Sequence, residues 1–105
     1  MKKISVLIKE HGKKPRHVCI SDSLTNLQKT VDGYIETVTI AKDLVVICNE
    51  EGLIRNLPYN CTICGVVLYG TIIICGVDGD EFADLPCSWD DIKRLYPALF
   101  ETQEK

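Results

Sequence analysis

The segment LVVIC, residues 44–48, constrains the fold of this chain more than any other stretch. All five of its residues are apolar, so neither face of a strand built from them favours contact with water. Five residues is a common strand length and is short for a buried helix. The segment therefore predicts a central strand of a sheet that is covered on both faces.

Several other segments show the composition of β-strands, with β-branched and aromatic residues between turn residues. They are ISVLIK (4–9), HVCI (17–20), YIETVTI (34–40) and part of VVLYGTIIICGV (66–77). A further short strand is expected within LIRNLPYN (53–60), where Pro58 ends it. The acidic segment DGDEFADLP (78–86) is expected to be a loop.

Two segments predict helices. In residues 21–33 the apolar residues have helical spacing, Ser21 or Asp22 can cap the start, and Gly33 can supply a left-handed exit. The segment WDDIKRLY follows a capping Ser88 and precedes Pro97. This order predicts an α+β fold: a small single domain with a mixed, mostly antiparallel sheet of about five strands, one helix after the first hairpin and a C-terminal helix. A β-grasp-like start is one arrangement that fits.

Length and composition set the class of protein. The 105 residues predict one domain, 1–105, with a frayed tail from about residue 98. A net charge of -3 argues against a general polyanion binder. The apolar run 4–8 is shorter than a signal-peptide core, and no run reaches the ~18 apolar residues that span a bilayer. We therefore expect a cytoplasmic protein, away from membranes, whose six cysteines are reduced.

Cys61 and Cys64 have the CxxC spacing of metal sites and redox-active dithiols. A redox dithiol needs a helix start to lower the thiol pKa, whereas this motif is followed by a strand pattern. A structural zinc site needs four ligands, and the sequence contains only one such pair. We expect buried structural thiols and no cofactor, and keep zinc stabilisation through Cys61 and Cys64 as an alternative.

The segment KEHGKKPRH (9–17) is predicted to be an exposed basic hairpin tip. Lys13, Lys14 and Arg16 are its candidate nucleic-acid contacts. The segment lacks the interleaved aromatic residues of a single-strand-binding surface and provides no recognition helix. A solvated loop is therefore favoured, and association with nucleic acid remains an alternative.

Glu36 is the carboxylate that stands out. On a strand over residues 34–40 it shares a face with Tyr34, Val38 and Ile40. A carboxylate on an apolar face is a candidate site residue, although ion-paired structural carboxylates are commoner. Elsewhere the spacing reveals no Ser/His/Asp or Cys/His arrangement and no phosphate-binding glycine loop. The sequence therefore favours a protein that is not an enzyme.

Three segments together resemble the family called domain of unknown function 3846, which occurs in bacteria, their phages and mobile elements. They are GYIETVTI (33–40), LVVICNEEGLIRNLPYN (44–60) and YGTIIICGVDGDEF (69–82). The resemblance implies an intracellular accessory protein without an established activity, and it implies no catalytic residues. The family pattern features Asn49, Glu50, Gly52, Pro58 and Asn60 and does not require the two cysteines of CTIC.

The leading hypothesis is a non-enzymatic module that binds a partner protein through its sheet edge or through the NEEG (49–52) and LPYN (57–60) loops. Its candidate residues are Glu36, Asn49, Glu50 and Asn60. Each asparagine also has a structural role open to it, because Asn shapes turns and bonds to nearby backbone.

Overall fold

The computed structural model describes residues 2–101 of the chain. Its strands are β1 (Lys3–Lys9), β2 (Arg16–Ser21), β3 (Ile35–Ala41), β4 (Leu44–Asn49), β5 (Tyr59–Ile63), β6 (Val66–Tyr69), β7 (Ile72–Asp78) and β8 (Glu81–Ala83). Its helices are α1 (Leu24–Val31), α2 (Trp89–Leu95) and a short 3₁₀ helix (Pro97–Phe100). The predicted α+β class is confirmed.

The strands form one main sheet and one separate ribbon. The main sheet has the order β2-β1-β7-β4-β3, and β8 pairs with the far end of β7. The strands β5 and β6 form the two-stranded ribbon. Every pair among the described strands is antiparallel, where the sequence suggested a mixed sheet. The hairpin-then-helix start of the β-grasp arrangement is present, in a sheet of antiparallel pairs.

Both faces of the main sheet are covered. On one face α1 packs through Leu27 and Val31 onto residues of β1, β4 and β7. On the other face the ribbon, α2 and the 3₁₀ helix pack onto the same three strands. All six residues of β4 are consequently buried, which confirms the two-faced strand that LVVIC predicts.

The helix α1 begins and ends next to the residues that the sequence suggested. The Ser23 hydroxyl accepts a hydrogen bond from the Asn26 N–H at 3.2 Å, so Ser23 is the N-cap in place of Ser21 or Asp22. At the other end Asp32, with φ of 64°, takes the left-handed position predicted for Gly33. Gly33 instead allows a close approach, since a Cβ there would lie 2.6 Å from the Asn49 side-chain nitrogen.

The segment 50–58 differs from the prediction. Residues 50–56 form successive turns, closed by bonds from the Arg55 N–H to the Glu51 carbonyl and from the Leu57 N–H to the Gly52 carbonyl. The strand predicted to end at Pro58 in fact begins after it, at Tyr59. The acidic segment expected to be a loop contains β8, which turns back onto β7.

The C-terminal residues are also more ordered than predicted. The 3₁₀ helix places Leu99 in the core, and the Phe100 ring meets Trp89 edge-on at 5.1 Å between centroids. The prediction of a frayed tail is therefore wrong for residues 98–100, and residues 102–105 lie outside the described part. None of the helices in residues 2–101 has the length and apolar character needed to span a membrane.

Candidate functional site

A groove of about 460 Å³ lies between the end of the main sheet and the ribbon. One side is formed by β3, β4 and the turn that follows β4, and the other side is β6. The groove is lined by Glu36, Val38, Cys48, Asn49, Glu50, Gly52, Leu53, Val66, Val67, Leu68 and Tyr69. Three of the four residues selected from the sequence, Glu36, Asn49 and Glu50, are therefore brought together, and Asn60 lies elsewhere.

The two glutamates stand on the groove side of the sheet. Glu36 pairs with Cys48 across β3 and β4, and the Glu50 N–H bonds to the Tyr34 carbonyl two residues further along. Glu36 and Glu50 are thus diagonal neighbours, for which Cβ atoms lie up to about 7–8 Å apart. Glu36 shares its sheet face with Val38 and Ile40, as the sequence predicts, and the side chains of Glu36 and Glu50 are both exposed at the rim of the groove. Neither takes part in an ion pair with the other described residues.

Asn49 is a structural tie. Its side-chain nitrogen donates to the carbonyls of Val31 and Asp32 at 3.1 and 3.0 Å, and its Oδ1 accepts from the Glu51 N–H at 2.7 Å. The buried amide therefore holds the end of α1 against the turn after β4. All its polar atoms are used internally, so Asn49 shapes the groove and offers no free hydrogen-bonding group.

Asn60 ties the ribbon to the main sheet. One residue of β5, Asn60, separates Tyr59 from Cys61, whereas their partners on β6, Tyr69 and Leu68, are adjacent, so Asn60 is the extra residue of a β-bulge. The bulge turns its side chain inward, where Nδ2 donates to the carbonyls of Lys9 and Gly70 at 2.9 and 2.7 Å. Its Oδ1 is buried without a hydrogen-bond partner among the described residues.

Cys48 belongs to the floor of the groove. Its thiol donates to the Glu36 carbonyl, with 3.6 Å between sulfur and oxygen. Burial, and secondarily the charge of Glu36, raises the pKa of the Cys48 thiol to about 11. The protonated thiol is a poor nucleophile at neutral pH, so Cys48 contributes apolar surface.

The CTIC motif is explained by the ribbon. Ile63 and Val66 pair directly, so Cys64 and Gly65 form a two-residue turn, and both have positive φ, 50° and 79°. Cys61 points into the core and Cys64 is exposed. Within residues 2–101 no three His, Cys, Asp or Glu side chains converge as metal ligands. The zinc alternative therefore finds no ligand set in this part of the chain.

The basic segment forms the exposed tip of the β1–β2 hairpin, as its sequence predicts, except that Lys9 and Pro15 are buried. Lys13 and Arg16 lie 3.5 and 3.6 Å from the Glu10 carboxylate, which partly neutralises both. Lys9 is only 1% exposed, and burial lowers its pKa. Lys14 is exposed. The structure thus weakens the nucleic-acid alternative, because phosphate binding depends on clustered free cations.

A smaller cavity of about 230 Å³ contains a Ser–His pair that the sequence spacing did not reveal. The Ser5 Oγ contacts the His17 Nε2, since both side chains lie on the same face of the β1–β2 hairpin. Asp84 accepts a bond from the Ser5 backbone N–H at 2.7 Å. Among the described residues no carboxylate bonds to the other ring nitrogen of His17, so the pair lacks the orienting group of a catalytic triad.

The groove residues missed by the sequence are those of β6 and Leu53. Val67 is 47% exposed and Leu53 is 70% exposed, which is unusual for large apolar side chains. The detectable signal was a two-residue turn with glycine between two β-rich runs, YNCTI and VVLY. That pattern predicts a hairpin whose turn is the second half of the CTIC motif and the glycine after it.

These features define a small α+β domain with an open groove between a sheet and a ribbon. A sequence profile for the family described as Domain of unknown function (DUF3846) matches residues 1–97. The chain therefore belongs to this family, as the resemblance indicated. The searches of curated proteins and of solved structures gave no significant match. Since the family description names no activity, function has to be argued from the groove.

Proposed function

We propose that this chain is a non-enzymatic interaction domain that binds an extended segment of a partner protein in the groove between β6 and the end of the main sheet. The cytoplasmic, accessory setting in a bacterial, phage or mobile-element system that the resemblance implies is part of the proposal. Six cysteines without a disulfide among the described residues fit a reducing compartment.

The edge of β6 is the observation that carries the proposal. Successive side chains of a strand point to opposite faces, yet four consecutive residues of β6, Val66 to Tyr69, line the groove. Such continuous lining means that the strand turns its edge, and not one face, towards the groove. The ribbon contains no strand beyond β6 among the described residues, so this edge has no strand partner.

The register of the ribbon leaves main-chain groups of β6 available. Ile63 and Val66 flank the two-residue turn and form a hydrogen-bonded pair, so the next pair, Thr62 and Val67, does not exchange hydrogen bonds. The N–H and C=O of Val67 therefore point away from β5, towards the groove. An extended peptide can bond to these groups as a third strand of the ribbon.

The surroundings suit such a peptide. Val38, Cys48 and Leu68 provide an apolar floor for its alternate side chains, and Leu53 is an exposed apolar residue on the wall. Gly52 allows that wall to approach β6, because a Cβ at this position would lie 3.0 Å from the Tyr69 Cβ. Main-chain pairing provides affinity and the pockets provide specificity.

The test is affinity capture from the source cell with proline variants. Val67→Pro removes an N–H that the ribbon does not use, so the variant should fold but lose the captured protein. Val67→Thr keeps the N–H and should retain capture. Leu24→Pro is the matched control: Leu24 is exposed, lies on α1, and occupies the first helical position, where proline is tolerated.

The proposal is supported if one protein is captured by wild type, Val67→Thr and Leu24→Pro and is lost with Val67→Pro. It is overturned if micromolar bait captures no specific protein, or if Val67→Pro retains the same partner. Far-ultraviolet circular dichroism checks that each variant is folded. If Val67→Pro does not fold, Leu53→Ser on the exposed wall replaces it, with the same expected loss.

A further inference from the structure

We infer that the partner segment is cationic, with Lys or Arg at two positions separated by one residue where it passes Glu36 and Glu50. The inference rests on the proposed function and names the chemistry of its partner. It comes from the charges of the groove and from the spacing of its two carboxylates.

The groove carries uncompensated negative charge. Its lining contains two carboxylates and no Lys, Arg or His among the described residues. Arg55, in the turns that follow β4, is bound to Asp32, with 3.3 Å between Nη2 and Oδ2. A basic side chain of a ligand would therefore find a free carboxylate above an apolar floor, which also suits its aliphatic stem.

The spacing of the carboxylates matches a strand. Glu36 and Glu50 are two residues apart along the strand direction, because Glu50 faces Tyr34 across β3 and β4. Alternate side chains of an extended peptide lie on one face and repeat about every 6.8 Å. Two basic residues flanking one other residue would thus each meet one carboxylate. Side chains further along the same face would reach Val38 and Leu68.

Other cationic or charged ligands fit less well. The two carboxylates repel a nucleic-acid backbone. A divalent ion needs at least a third ligand, such as a carboxylate, imidazole or thiol. Within residues 2–101 no three His, Cys, Asp or Glu side chains lie close enough together to hold a metal ion. A small amine would satisfy the carboxylates but leave the edge of β6 unpaired. An extended basic and apolar peptide uses the charge, the floor and the strand edge together.

The test uses three synthetic peptides with blocked ends, Lys-Thr-Lys-Thr-Val-Thr-Val and its versions with Gln or Glu in place of both Lys. Binding to the whole chain is measured by calorimetry and by amide shifts in nuclear magnetic resonance. At low salt we expect the Lys peptide to bind about tenfold more tightly than the Gln peptide and the Glu peptide to bind most weakly. The difference should shrink to about twofold at 0.5 M salt, because exposed charges are screened.

Charge variants separate the groove from the net charge of the chain. The double variant Glu36→Gln and Glu50→Gln should bind the Lys and Gln peptides equally. The matched control is Asp78→Asn with Asp80→Asn, which changes net charge equally at an exposed turn outside the groove lining. This control should keep most of the tenfold preference, and loss of the preference in both double variants would overturn the inference.

Failure of this inference is distinguishable from failure of the proposed function. If all three peptides bind wild type equally and Val67→Pro abolishes binding, the cationic partner is wrong and the groove remains a peptide site. Absence of binding by the Lys peptide at millimolar concentration also overturns the inference. In that case capture of a natural partner that depends on the Val67 N–H would leave the proposed function standing.

Discussion

Cys64 occupies the first position of the two-residue turn between β5 and β6, with a φ of 50°. Few residues other than Gly, Asn and Asp adopt this left-handed conformation without strain, because the Cβ crowds the backbone. Gly65 fills the second position at no such cost. The chain thus has Cys-Gly where the commonest turn of this type has Asn-Gly, and the spacing of CTIC follows from the hairpin.

Replacing Cys64 should reveal the strain in this turn. We expect Cys64→Asn to raise the free energy of unfolding by roughly 0.5–1 kcal/mol, since Asn tolerates the left-handed region. Cys64→Ala keeps the strain and should be nearly neutral. Urea denaturation of both variants measures the difference. Equal stability of the Asn and Ala variants, or marked loss of stability in both, would mean that the thiol itself contributes.

The polar residues selected from the sequence divide into two groups. The amides of Asn49 and Asn60 are buried and donate to backbone carbonyls of distant elements. The carboxylates of Glu36 and Glu50 are exposed and bond to nothing in the described chain. The first group builds the frame of the groove and the second determines its charge, although all four stood out in the sequence as one set of polar positions.

At the scale of elements, the sequence predicts secondary structure best where periodicity and turn residues agree. The strands β1, β2 and β3 follow from composition and alternation, β4 and β7 follow from continuous apolar runs, and both α-helices follow from helical spacing and Ser caps. The strand β8 and the 3₁₀ helix were missed. The first is only three residues long, and the second begins at Pro97, a residue that on its own predicts the end of a helix. Their positions depend on tertiary contacts that no local pattern encodes.

The ribbon shows why the site was predicted only in part. Its bulge at Asn60 places Asn60 and Cys61 inward in succession and breaks the alternation that identifies a strand. Lys9 belongs to the segment that was predicted to be exposed. The ribbon covers the end of β1, so this lysine is buried beneath it. The positions of Glu36 and Glu50 on the sheet follow from the sequence. The opposite wall of the groove is formed by the ribbon, so it could not be predicted without the ribbon.

Removing the Asn60 tie should loosen the ribbon. We expect Asn60→Ala to lower the free energy of unfolding by about 2–3 kcal/mol, because the carbonyls of Lys9 and Gly70 lose a buried donor. Amide hydrogen exchange should accelerate first in β5 and β6, since the bond to Lys9 joins them to the main sheet. Chemical denaturation and hydrogen exchange measured on the same variant check both expectations.

Asn56 provides the matched control for this substitution. It is exposed and has a φ of 58°, so Asn56→Gly keeps the backbone conformation and should change stability by less than about 0.5 kcal/mol. A neutral effect of Asn60→Ala, or faster exchange spread evenly over the whole chain, would contradict the role of Asn60 as the tie of the ribbon.

At the scale of the whole molecule, the groove exists because one face of the main sheet is only partly covered. The ribbon, α2 and the 3₁₀ helix bury β1, β7 and β4 on one face, whereas α1 covers the other. The ribbon does not extend over the outer part of β3, so Glu36 stays exposed and Val38 is only half-buried. The same layer that completes the core therefore leaves a strand edge facing an open strip of the sheet.

Because both faces of the main sheet are covered, cysteine thiols are buried on both faces. The free energy of unfolding should therefore change with pH in the alkaline range. Cys48 lies under the ribbon and Cys75 lies under α1. Burial raises the pKa of Cys48 to about 11 and that of Cys75 to about 12, from an ordinary 9.0. Above pH 9 the unfolded chain loses these protons while the folded chain keeps them. The stabilisation is therefore complete below pH 9 and is lost as pH rises towards 11–12, by up to about 1.4 kcal/mol per pH unit for each thiol.

Variants with and without a buried thiol separate this effect from other groups that titrate at high pH. The lowered pKa of Lys9 acts in the opposite direction, because the unfolded chain then holds more protons, but Lys9 is common to all chains compared. Cys75→Ala should be less stable than wild type at pH 8, because the substitution leaves a cavity. Between pH 9 and 11, however, its free energy of unfolding should fall less steeply than that of wild type. Val45→Ala creates a cavity in the same cluster without removing a titrating group, so its slope should match wild type. Urea denaturation across this pH range measures the slopes, and equal slopes for Cys75→Ala and Val45→Ala would show that the thiol is not held protonated by the covering layers.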